Sequence, residues 1–286
     1  MKASECIEFL QQMLPRLRLR WPGFRKVRGQ VCKRVRHRLQ GLALADVAAY
    51  RAYLESHPAE WEVLDGMCHI TISRFYRDKG VFDFLARQVF PEIARMVLER
   101  GEKTLGCWSA GCASGEEPYT LALLWQLYLK PRFPDLTMRI VATDADAAML
   151  KRAELACYRY SSVDDLPEDC LTQGFVRVED EYCLRPVYRD EVEFLKQDLR
   201  FIVPDGTFHL VLCRNLAFTY FDDATQSEVL RKIHDKLRPG GVLVIGSHES
   251  LPQGASGFWA WSGKQGVYRQ MDRGDGYHES IDHQRR

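Results

Sequence analysis

Long apolar runs and a strong net charge are both lacking in this 286-residue sequence. No apolar run approaches the roughly 20 residues that a membrane-spanning helix needs, so no insertion into a membrane is expected. The N-terminal stretch has acidic and amide residues inside its apolar run and lacks a small-residue cleavage site, so a secretion signal is not predicted. The formal net charge of +1 argues against holding nucleic acid by overall charge alone. These absences predict a cytoplasmic globular protein.

The cysteines also lack the spacing of a metal site. The chain has nine of them, an odd number, with no CxxC pair and no Cys/His cluster at zinc spacing. We therefore predict no metal. Ordinary reduced thiols, typical of a cytosolic chain, are the favoured interpretation of the cysteines.

Residues 1–69 are predicted to form a small, all-helical N-terminal domain, because their apolar residues recur at helical spacing between turn signals. Residues 16–38 contain ten Lys or Arg and no Asp or Glu. This basic segment is either a solvated helix face or a docking surface for an acidic partner. Nucleic acid is disfavoured as that partner, because no pattern of base-stacking aromatic residues accompanies the charges.

Residues 70–271 are predicted to form an α/β domain, because helices and strands alternate from about residue 82 onward. This alternation indicates βαβ units and a mainly parallel sheet with helices on both faces. The helix predicted over 82–99 is expected to kink at Pro91. A β-hairpin is predicted as an insertion over 175–195, and the polar tail 272–286 is predicted to be disordered. The strands are predicted at 104–108, 138–142, 192–195, 208–213, 241–246 and 266–270.

The first of these strands runs into the turn WSAGCASGEEPYT, at residues 108–120. Its small residues, including Ala110 and Gly111, let the backbone approach a ligand at the carboxyl end of the strand. Glu116 and Glu117 then occupy the helix start, where they would repel a phosphate but suit a ligand that carries an amine and a sulfonium. This favours S-adenosylmethionine over a nucleoside triphosphate. The alternative is an ordinary turn whose acids complement the helix dipole.

Polar residues also end the next strands. Asp144 follows the glycine-rich turn by about one βα unit, where an acid can accept hydrogen bonds from ribose hydroxyls. A helix N-cap is the alternative role, but Asp146 can fill it equally well. Arg214 and Asn215 end a later strand, either at the ligand or in an ordinary strand exit.

Four ordered segments resemble the CheR-type chemoreceptor (protein-glutamate) methyltransferases, over about residues 5–270. Residues 75–78 (FYRD) are similar to that family's FFRD, and residues 109–119 to its SAGCSTGEEPYS. Residues 213–215 with 220–222 resemble CRN and YFD, and PGG at 239–241 precedes GSHES at 246–250. The chain is thus identified as a divergent member.

The resemblance implies a class I (Rossmann-like) methyltransferase sheet with the inserted hairpin as its β-subdomain, and S-adenosylmethionine as cofactor, leaving as S-adenosylhomocysteine. It implies that Arg77 and Tyr220 are catalytic, with Arg77 steering a substrate carboxylate beside the methyl group and Tyr220 facing it. It further implies an acidic helical receptor-like partner for the basic segment. The implied cofactor-binding residues are Thr71, Ser73, Arg77, Ala110, Gly111, Glu116, Asp144, Asp198, Leu199, Arg214 and Asn215.

This sequence departs from the family at the cofactor and substrate sides of the implied site. Thr71 and Ser73 replace an Asn and a Thr, and Asp198 replaces an Asn. One extra residue lies within 216–219, and the hairpin is shorter than in members that tether to a receptor peptide. These departures keep a methyltransferase of the same fold that acts on a small molecule as an alternative. A non-catalytic cofactor sensor is a further alternative, which the retention of Arg77 disfavours.

Methylation of a carboxylate is chemically compatible with these residues. A glutamate side chain is already an anion at neutral pH, so alignment matters more than a general base. An arginine can hold one carboxylate oxygen while the other attacks. A phenol or an amine would usually require a base, for which His69 and His248 are the candidates.

Overall fold

A seven-stranded sheet forms the centre of the computed structural model, which describes residues 2–271. The predicted disordered tail, 272–286, lies outside the described residues. The strands of the large sheet are β1 Thr104–Ala110, β2 Thr137–Asp144, β6 Val192–Lys196, β7 Phe208–Cys213, β8 Leu237–Ile245, β9 Phe258–Ser262 and β10 Val267–Gln270. A small second sheet contains β3 Cys157–Arg159, β4 Phe175–Val178 and β5 Glu181–Leu184.

The strand order of the large sheet is β6-β2-β1-β7-β8-β10-β9. Its first five strands pair in parallel, and β10 runs antiparallel to β8 and to β9. The chain builds outward from β1 in one direction and from β7 in the other, so a topological switch point lies between these two strands. Open α/β sheets bind their ligands at the carboxyl ends of the strands at such a point. The predicted α/β class with a mainly parallel sheet is confirmed.

Fourteen α-helical segments, several of a single turn, accompany the sheets within the described residues. The N-terminal five are α1 Ala3–Met13, α2 Trp21–Phe24, α3 Arg28–Gly41, α4 Val47–Ser56 and α5 Glu60–Cys68. The others are α6 Lys79–Phe84, α7 Phe90–Glu99, α8 Glu116–Leu124, α9 Ala147–Leu155, α10 Tyr160–Val163, α11 Glu168–Gly174, α12 Pro186–Arg189, α13 Ala217–Tyr220 and α14 Asp223–Lys236. Short 3₁₀ turns occur at Leu14–Leu17 and Gly263–Gln265.

The two faces of the sheet bury two different cores. Alternate residues of each strand point to opposite faces, so Cys107 and Trp108 of β1 belong to different clusters. The cluster around Cys107 contains the apolar sides of α6, α7 and α8. The cluster around Trp108 contains the apolar residues of α1, α3, α4 and α5 together with those of α14. The predicted helical N-terminal region is therefore helical, and it packs directly on one face of the large sheet.

The predicted hairpin is present as β4 and β5, but its bounds over 175–195 are wrong. The insertion starts earlier, at β3, and forms a three-stranded sheet of order β3-β5-β4, whereas 192–196 belongs to the large sheet. The distortion predicted at Pro91 is present as a π-helical turn at Leu85–Val89, between α6 and α7. A proline has no backbone N–H and its ring crowds the carbonyl four residues earlier, so the distortion falls in the preceding turn.

Four of the nine cysteines are paired, so the prediction of reduced thiols throughout is wrong. Cys6 of α1 is bonded to Cys32 of α3, and Cys157 is bonded to its cross-strand neighbour Cys183. Each pair is 26 residues apart in sequence, a separation that signals no pairing until the helices and strands are packed. The other five cysteines are buried free thiols.

Candidate active site

A cavity opens at the carboxyl ends of β1, β2 and β7, at the topological switch point. Its empty volume is about 1230 Å³, including the part open to solvent, ample beside the roughly 300–1,000 Å³ of small-molecule sites. Ten of the twelve residues predicted for the site line it: Thr71, Ser73, Arg77, Gly111, Asp144, Asp198, Leu199, Arg214, Asn215 and Tyr220. Ala110 and Glu116 do not.

The glycine-rich turn forms one wall of the cavity. Gly111 has a φ of +81°, and a Cβ at this position would lie 2.4 Å from Cδ2 of Leu216, a distance that no real pair of carbon atoms adopts. The backbone N–H groups of Gly111 and Cys112 both donate to the carbonyl oxygen of Thr143 on β2. The positive φ favours glycine, because side-chain-bearing residues rarely adopt it, and any larger residue would also have to displace the Leu216 side chain. The turn therefore brings bare backbone to the cavity.

Asp144 ends β2 with its carboxylate at the cavity. One carboxylate oxygen accepts from the backbone N–H of Ala113 at 2.8 Å, and the other accepts from that of Asp146 at 2.9 Å. Burial raises the pKa of Asp144, although both hydrogen bonds favour the charged form. Each oxygen keeps a second lone pair, so the group can still accept from a ligand hydroxyl. Asp146 caps α9 through Ala148 and Met149, as predicted.

Glu117, rather than the predicted Glu116, presents its carboxylate to the cavity. The side chain of Glu116 is 2% exposed and accepts a hydrogen bond from Ser114 below the turn. Glu117 lies one residue further along α8, where the helix has rotated its side chain toward the cavity. It accepts from Ser109 at 2.7 Å and from Arg214 at 3.1 Å. Sequence reasoning noted both acids but could not assign their faces without the exact start of the helix.

Arg214 is a buried cation that connects three parts of the site. Its side chain is 3% exposed, and it forms ion pairs with Asp78 at 2.8 Å and with Glu117 at 3.1 Å. It also donates to the backbone carbonyl oxygen of Arg77 at 2.8 Å. Its guanidinium lies 5.0 Å from the ring centroid of Phe82. The charge of Arg214 is thus neutralised inside the protein, and its hydrogen bonds fix the backbone of residues 77 and 78.

Arg77 lies on a strained segment that faces the cavity. Its neighbours Tyr76 and Asp78 have φ values of +55° and +61°, a left-handed conformation that costs energy in residues other than glycine. Surrounding contacts hold this conformation, because Arg214 binds Asp78 and the hydroxyl of Thr120 accepts from the backbone N–H of Tyr76. The Arg77 guanidinium is half-buried and donates to the carbonyl oxygen of Ile72 at 2.6 Å.

Tyr220 is the last residue of α13 and lines the cavity. Asn215, which precedes α13 and has a φ of +55°, lines it as well. Burial raises the pKa of Tyr220, so its hydroxyl stays protonated at neutral pH; the nearby charge of Arg77 opposes this rise only in part. Glu249 supports the loop from below. Its carboxylate accepts from the backbone N–H groups of Asn215 and Gly246 and from the hydroxyl of Thr219.

Asp198 belongs to an ionic cluster that joins the α5 helix to the loop after β6. Arg200, whose side chain is 6% exposed, forms ion pairs with Asp198 at 2.6 Å and with Asp65 at 2.5 Å. It also donates to the carbonyl oxygen of Leu17 at 2.8 Å. Burial opposes the charged form of Asp65, but hydrogen bonds from His69 and Arg200 outweigh it and hold the pKa of Asp65 at about 2. An acid at 198 therefore has a buried cation as its partner.

Sequence reasoning missed Asp65, Arg200 and Gln197, and it considered His69 only as a base. All four line the cavity, but they come from separate segments whose contact depends on packing of the N-terminal helices. The hydrogen bond with Asp65 raises the pKa of His69, which ties this histidine to the ionic cluster. The other candidate base, His248, is exposed and does not line the cavity. Within residues 2–271 no group of three His, Cys, Asp or Glu residues is placed to hold a metal.

The residues at the cavity fit S-adenosylmethionine better than a phosphate-bearing nucleotide. The bare backbone of the glycine-rich turn lies beside Asp144, whose carboxylate accepts from backbone N–H groups and forms no ion pair within residues 2–271. No lysine lines the cavity within residues 2–271, whereas phosphate-binding loops use one. Leu199, 5% exposed, adds an apolar surface to the cavity.

Comparison with known proteins supports the same cofactor. Residues 71–267 match the family model described as "CheR methyltransferase, SAM binding domain". The chain belongs to the CheR methyltransferase family. The predictions of this family, of its fold and of S-adenosylmethionine as cofactor are confirmed.

Several curated relatives are named chemotaxis protein methyltransferases. The chain is 36% identical over 182 residues to a chemotaxis protein methyltransferase of Listeria innocua, covering 64% of this chain and 66% of the relative, just under two thirds of its length. It is 30% identical over 289 residues to the chemotaxis protein methyltransferase of Klebsiella aerogenes, covering 90% and 93% of the two chains. Among solved structures, it is similar to the amino pentose methyltransferase CalS10 of Micromonospora echinaspora (19% identity, 62% and 58% coverage, TM-score 0.31).

Proposed function

We propose that the chain uses S-adenosylmethionine to methylate glutamate side chains of a chemoreceptor-like protein in the cytoplasm. The observation that carries this proposal is the state of the cations at the cavity. His69, Arg74, Arg200 and Arg214 each have a carboxylate partner within the protein. Arg77 is the one cation lining the cavity that has none within residues 2–271. It is therefore available for a carboxylate that arrives with a substrate.

The remaining charges divide the cavity into two sides. Asp144 offers a carboxylate for the ribose hydroxyls of the cofactor, with Asp198 and Leu199 on the adenine side. Arg77 and Tyr220 form the opposite side, where the methyl group is transferred. Arg214 and Glu117 form an ion pair between these sides and neutralise each other. The difference in charge between the Asp144 side and the Arg77 side therefore remains.

Methyl transfer then depends on alignment. When bound, S-adenosylmethionine supplies an electrophilic methyl group on a sulfonium. The guanidinium of Arg77 holds one oxygen of the substrate carboxylate and leaves the other free to attack. Tyr220, protonated at neutral pH, packs beside the reacting atoms and excludes water. No residue has to remove a proton, because the carboxylate is already ionised; this agrees with a site whose two best-placed side chains are an arginine and a tyrosine.

The partner docks, in this proposal, on the basic segment of the N-terminal region, residues 1–69, while residues 70–271 carry the reaction. Five of the ten cations in 16–38 already have partners. Four of them form ion pairs: Arg16 with Glu55, Arg18 with Glu228, Arg20 with Asp223 and Arg38 with Glu60. The fifth, Arg34, donates to the carbonyl oxygens of Met67 and His69. Four exposed cations, which we call the docking cations, make no side-chain hydrogen bond or ion pair within residues 2–271. They are Arg25, Lys26, Lys33 and Arg36.

No helix within residues 2–271 combines the length and the hydropathy that crossing a bilayer requires. An enzyme of this kind would reach a receptor through the cytoplasmic helices of the receptor. An acidic helical surface on the receptor complements the docking cations.

The decisive experiment incubates the purified chain with methyl-labelled S-adenosylmethionine and the cytoplasmic fragment of a chemoreceptor encoded in the same genome. We expect label on the receptor that alkali releases as methanol, because methyl esters are base-labile. Replacing the acceptor glutamates by alanine is the matched control and should abolish the label. Label that appears only in small molecules of a lysate would instead support the small-molecule alternative, and an unlabelled receptor would contradict the proposal.

A further inference from the structure

Residues 18–24 of the N-terminal region, here called the clamp, contact the loop that carries Tyr220. Leu19 forms an antiparallel bridge with Phe221. The backbone N–H of Arg20 donates to the carbonyl oxygen of Tyr220 at 2.8 Å, and that of Asp222 donates to Arg18 at 3.0 Å. The clamp thus pairs with the Tyr220 loop as a short strand would, although the two segments are about 200 residues apart in sequence.

The side chain of Arg20 strengthens this pairing. Its Nε donates to the carbonyl oxygen of Thr219 at 3.2 Å, and its Nη2 donates to that of Phe218 at 2.6 Å. Both carbonyls belong to α13, a helix of one turn whose carbonyl oxygens find few partners within the helix. Arg20 also pairs with Asp223 at 3.2 Å. Its guanidinium therefore caps the helix that ends at Tyr220.

Gly23 and Phe24 bring the clamp into direct contact with Tyr220. A Cβ on Gly23 would lie 2.3 Å from the carbonyl oxygen of Thr219 and 3.1 Å from Cα of Tyr220. The ring of Phe24 is fully buried, and its centroid lies 5.1 Å from that of Tyr220. Leu19, Phe24 and Tyr220 all line the cavity. The position of the Tyr220 ring is therefore set from the N-terminal side.

We propose that the clamp positions Tyr220 for methyl transfer, so that the N-terminal region acts on the chemical step as well as on docking. This inference rests on the role of Tyr220 in the proposed function. Gly23 and Phe24 are positioning residues, because they act through Tyr220. The clamp is followed directly by the docking cations Arg25 and Lys26, so a partner bound there would contact the segment that holds Tyr220.

A displaced Tyr220 should lower turnover and leave cofactor binding intact, because the carboxylate of Asp144 is held by the backbone N–H groups of Ala113 and Asp146 and not by the clamp. A misplacement of about 1 Å can cost on the order of 100-fold in rate. We therefore expect Gly23→Ala and Phe24→Leu each to lower kcat by about 10- to 100-fold. KM for the receptor fragment and the affinity for S-adenosylhomocysteine should change by less than about threefold. An unfolded fraction would also lower the apparent kcat without changing KM, so kcat is expressed per cofactor-binding site, counted by titration with S-adenosylhomocysteine.

The test is a double-mutant cycle on kcat with the full-length chain, using Phe24→Leu and Tyr220→Ala. If the clamp acts through Tyr220, Phe24→Leu should cost less than about threefold in the Tyr220→Ala background, since coupled residues are non-additive. Gly41→Ala is the matched control for Gly23→Ala, because Gly41 also lies in an N-terminal helix but has no atom within 4 Å of its added Cβ. Its kcat should stay within about twofold of the unmodified chain.

The outcomes separate the two proposals. If Tyr220→Ala lowers kcat but Phe24→Leu costs the same factor in both backgrounds, the clamp does not position Tyr220, and the proposed function stands. If Tyr220→Ala leaves kcat unchanged, its assigned role is wrong, and the inference falls with it. If Gly23→Ala does not fold, the cycle with Phe24→Leu still decides, because a leucine keeps that site apolar.

Discussion

Arg214 donates a 2.8 Å hydrogen bond to the backbone carbonyl oxygen of Arg77, so one arginine of the site positions the other. Arg214 is buried and paired with Asp78 and Glu117, so its charge is not available to a ligand. Arg77 keeps its charge available to the cavity. The buried ion pairs of Arg214 form without the substrate. They stabilise the left-handed backbone conformation on either side of Arg77, which would otherwise be unfavourable.

Replacing Arg77 by alanine should lower kcat/KM for the receptor fragment by about 10- to 150-fold, the effect of one hydrogen bond to a charged group. Affinity for S-adenosylhomocysteine, measured by titration calorimetry, should change little. Arg74→Ala is the matched control, because Arg74 also lines the cavity but is exposed and paired with Asp165. Equal losses in the two variants would show that general charge at the cavity matters, and not carboxylate steering by Arg77.

Replacing Gly111 by alanine should weaken cofactor binding by about fivefold or more, because the added methyl group costs about 1 kcal/mol or more where it overpacks a filled space. It would meet Leu216 at 2.4 Å on a backbone with positive φ. Gly206→Ala separates the two causes, since Gly206 also has a positive φ (+91°) but open space around its Cβ. Calorimetry on both variants checks this prediction. A similar loss of affinity in Gly206→Ala would assign the effect to backbone strain or to general destabilisation.

Local signals in the sequence predicted that the glycine-rich turn and the end of β2 meet at one cavity, which Gly111 and Asp144 both line. The small residues near Gly111 and the acid at Asp144 act through the backbone and through strand ends, so their placement follows from chain-local rules. Such rules fail at Glu116 and Glu117. A shift of one residue in the start of α8 decides which of the two side chains faces the cavity. Asp65 and Arg200 were beyond reach, since 135 residues separate them and only the packing of α5 brings them together.

The same limit applies to the larger elements. Strand alternation predicted the large sheet, including β7 at its exact bounds, because buried parallel strands leave long apolar runs. It missed β3, which has three residues, and β9, in which only Phe258 is buried and no alternation marks the strand. The disulfides and the clamp depend on contacts between distant segments, and no periodic pattern in the sequence predicts such contacts.

Replacing Arg200 by leucine should lower the free energy of unfolding by about 3–5 kcal/mol, because two partly buried carboxylates lose their common cation. Arg139→Leu is the matched control: Arg139 pairs with Glu193 at 2.6 Å, but its side chain is 56% exposed, so the loss there should be about 0–1 kcal/mol. Urea unfolding of both variants at neutral pH measures the difference. Similar losses would mean that the Asp65–Arg200–Asp198 cluster adds no more than a surface ion pair.

Two histidines should give the stability a maximum near pH 6.5, the ordinary pKa of the side chain. The hydrogen bond with Asp65 raises the pKa of His69, so its contribution is complete below pH 6.5 and is lost as the pH rises through its folded pKa. Burial lowers the pKa of His209, although Glu102 lies 3.3 Å away. Its contribution is complete above pH 6.5 and is lost as the pH falls through its folded pKa.

Single variants separate these two limbs of the pH profile. His69→Gln should flatten the decline above pH 6.5, and His209→Asn should flatten the decline below it, since an amide oxygen can still accept from the backbone N–H of Gly106, as Nδ1 does at 3.1 Å. Urea unfolding between about pH 4.5 and pH 8.5, a span of about two pH units on each side of 6.5, gives the profiles. An unchanged limb in either variant would show that the assigned histidine does not set it.

Reversing the charge of two docking cations, Lys33→Glu with Arg36→Glu, should raise KM for the receptor fragment by about tenfold, because like charges at a rim oppose association. The value of kcat should change little, since both residues lie on α3, away from the clamp. Arg95→Glu with Lys103→Glu is the matched control: these two exposed cations change the net charge equally but lie outside the basic segment. Added salt should narrow the gap between the two double variants. Equal values of KM in both would mean that only the overall charge attracts the receptor, and that α3 does not dock it.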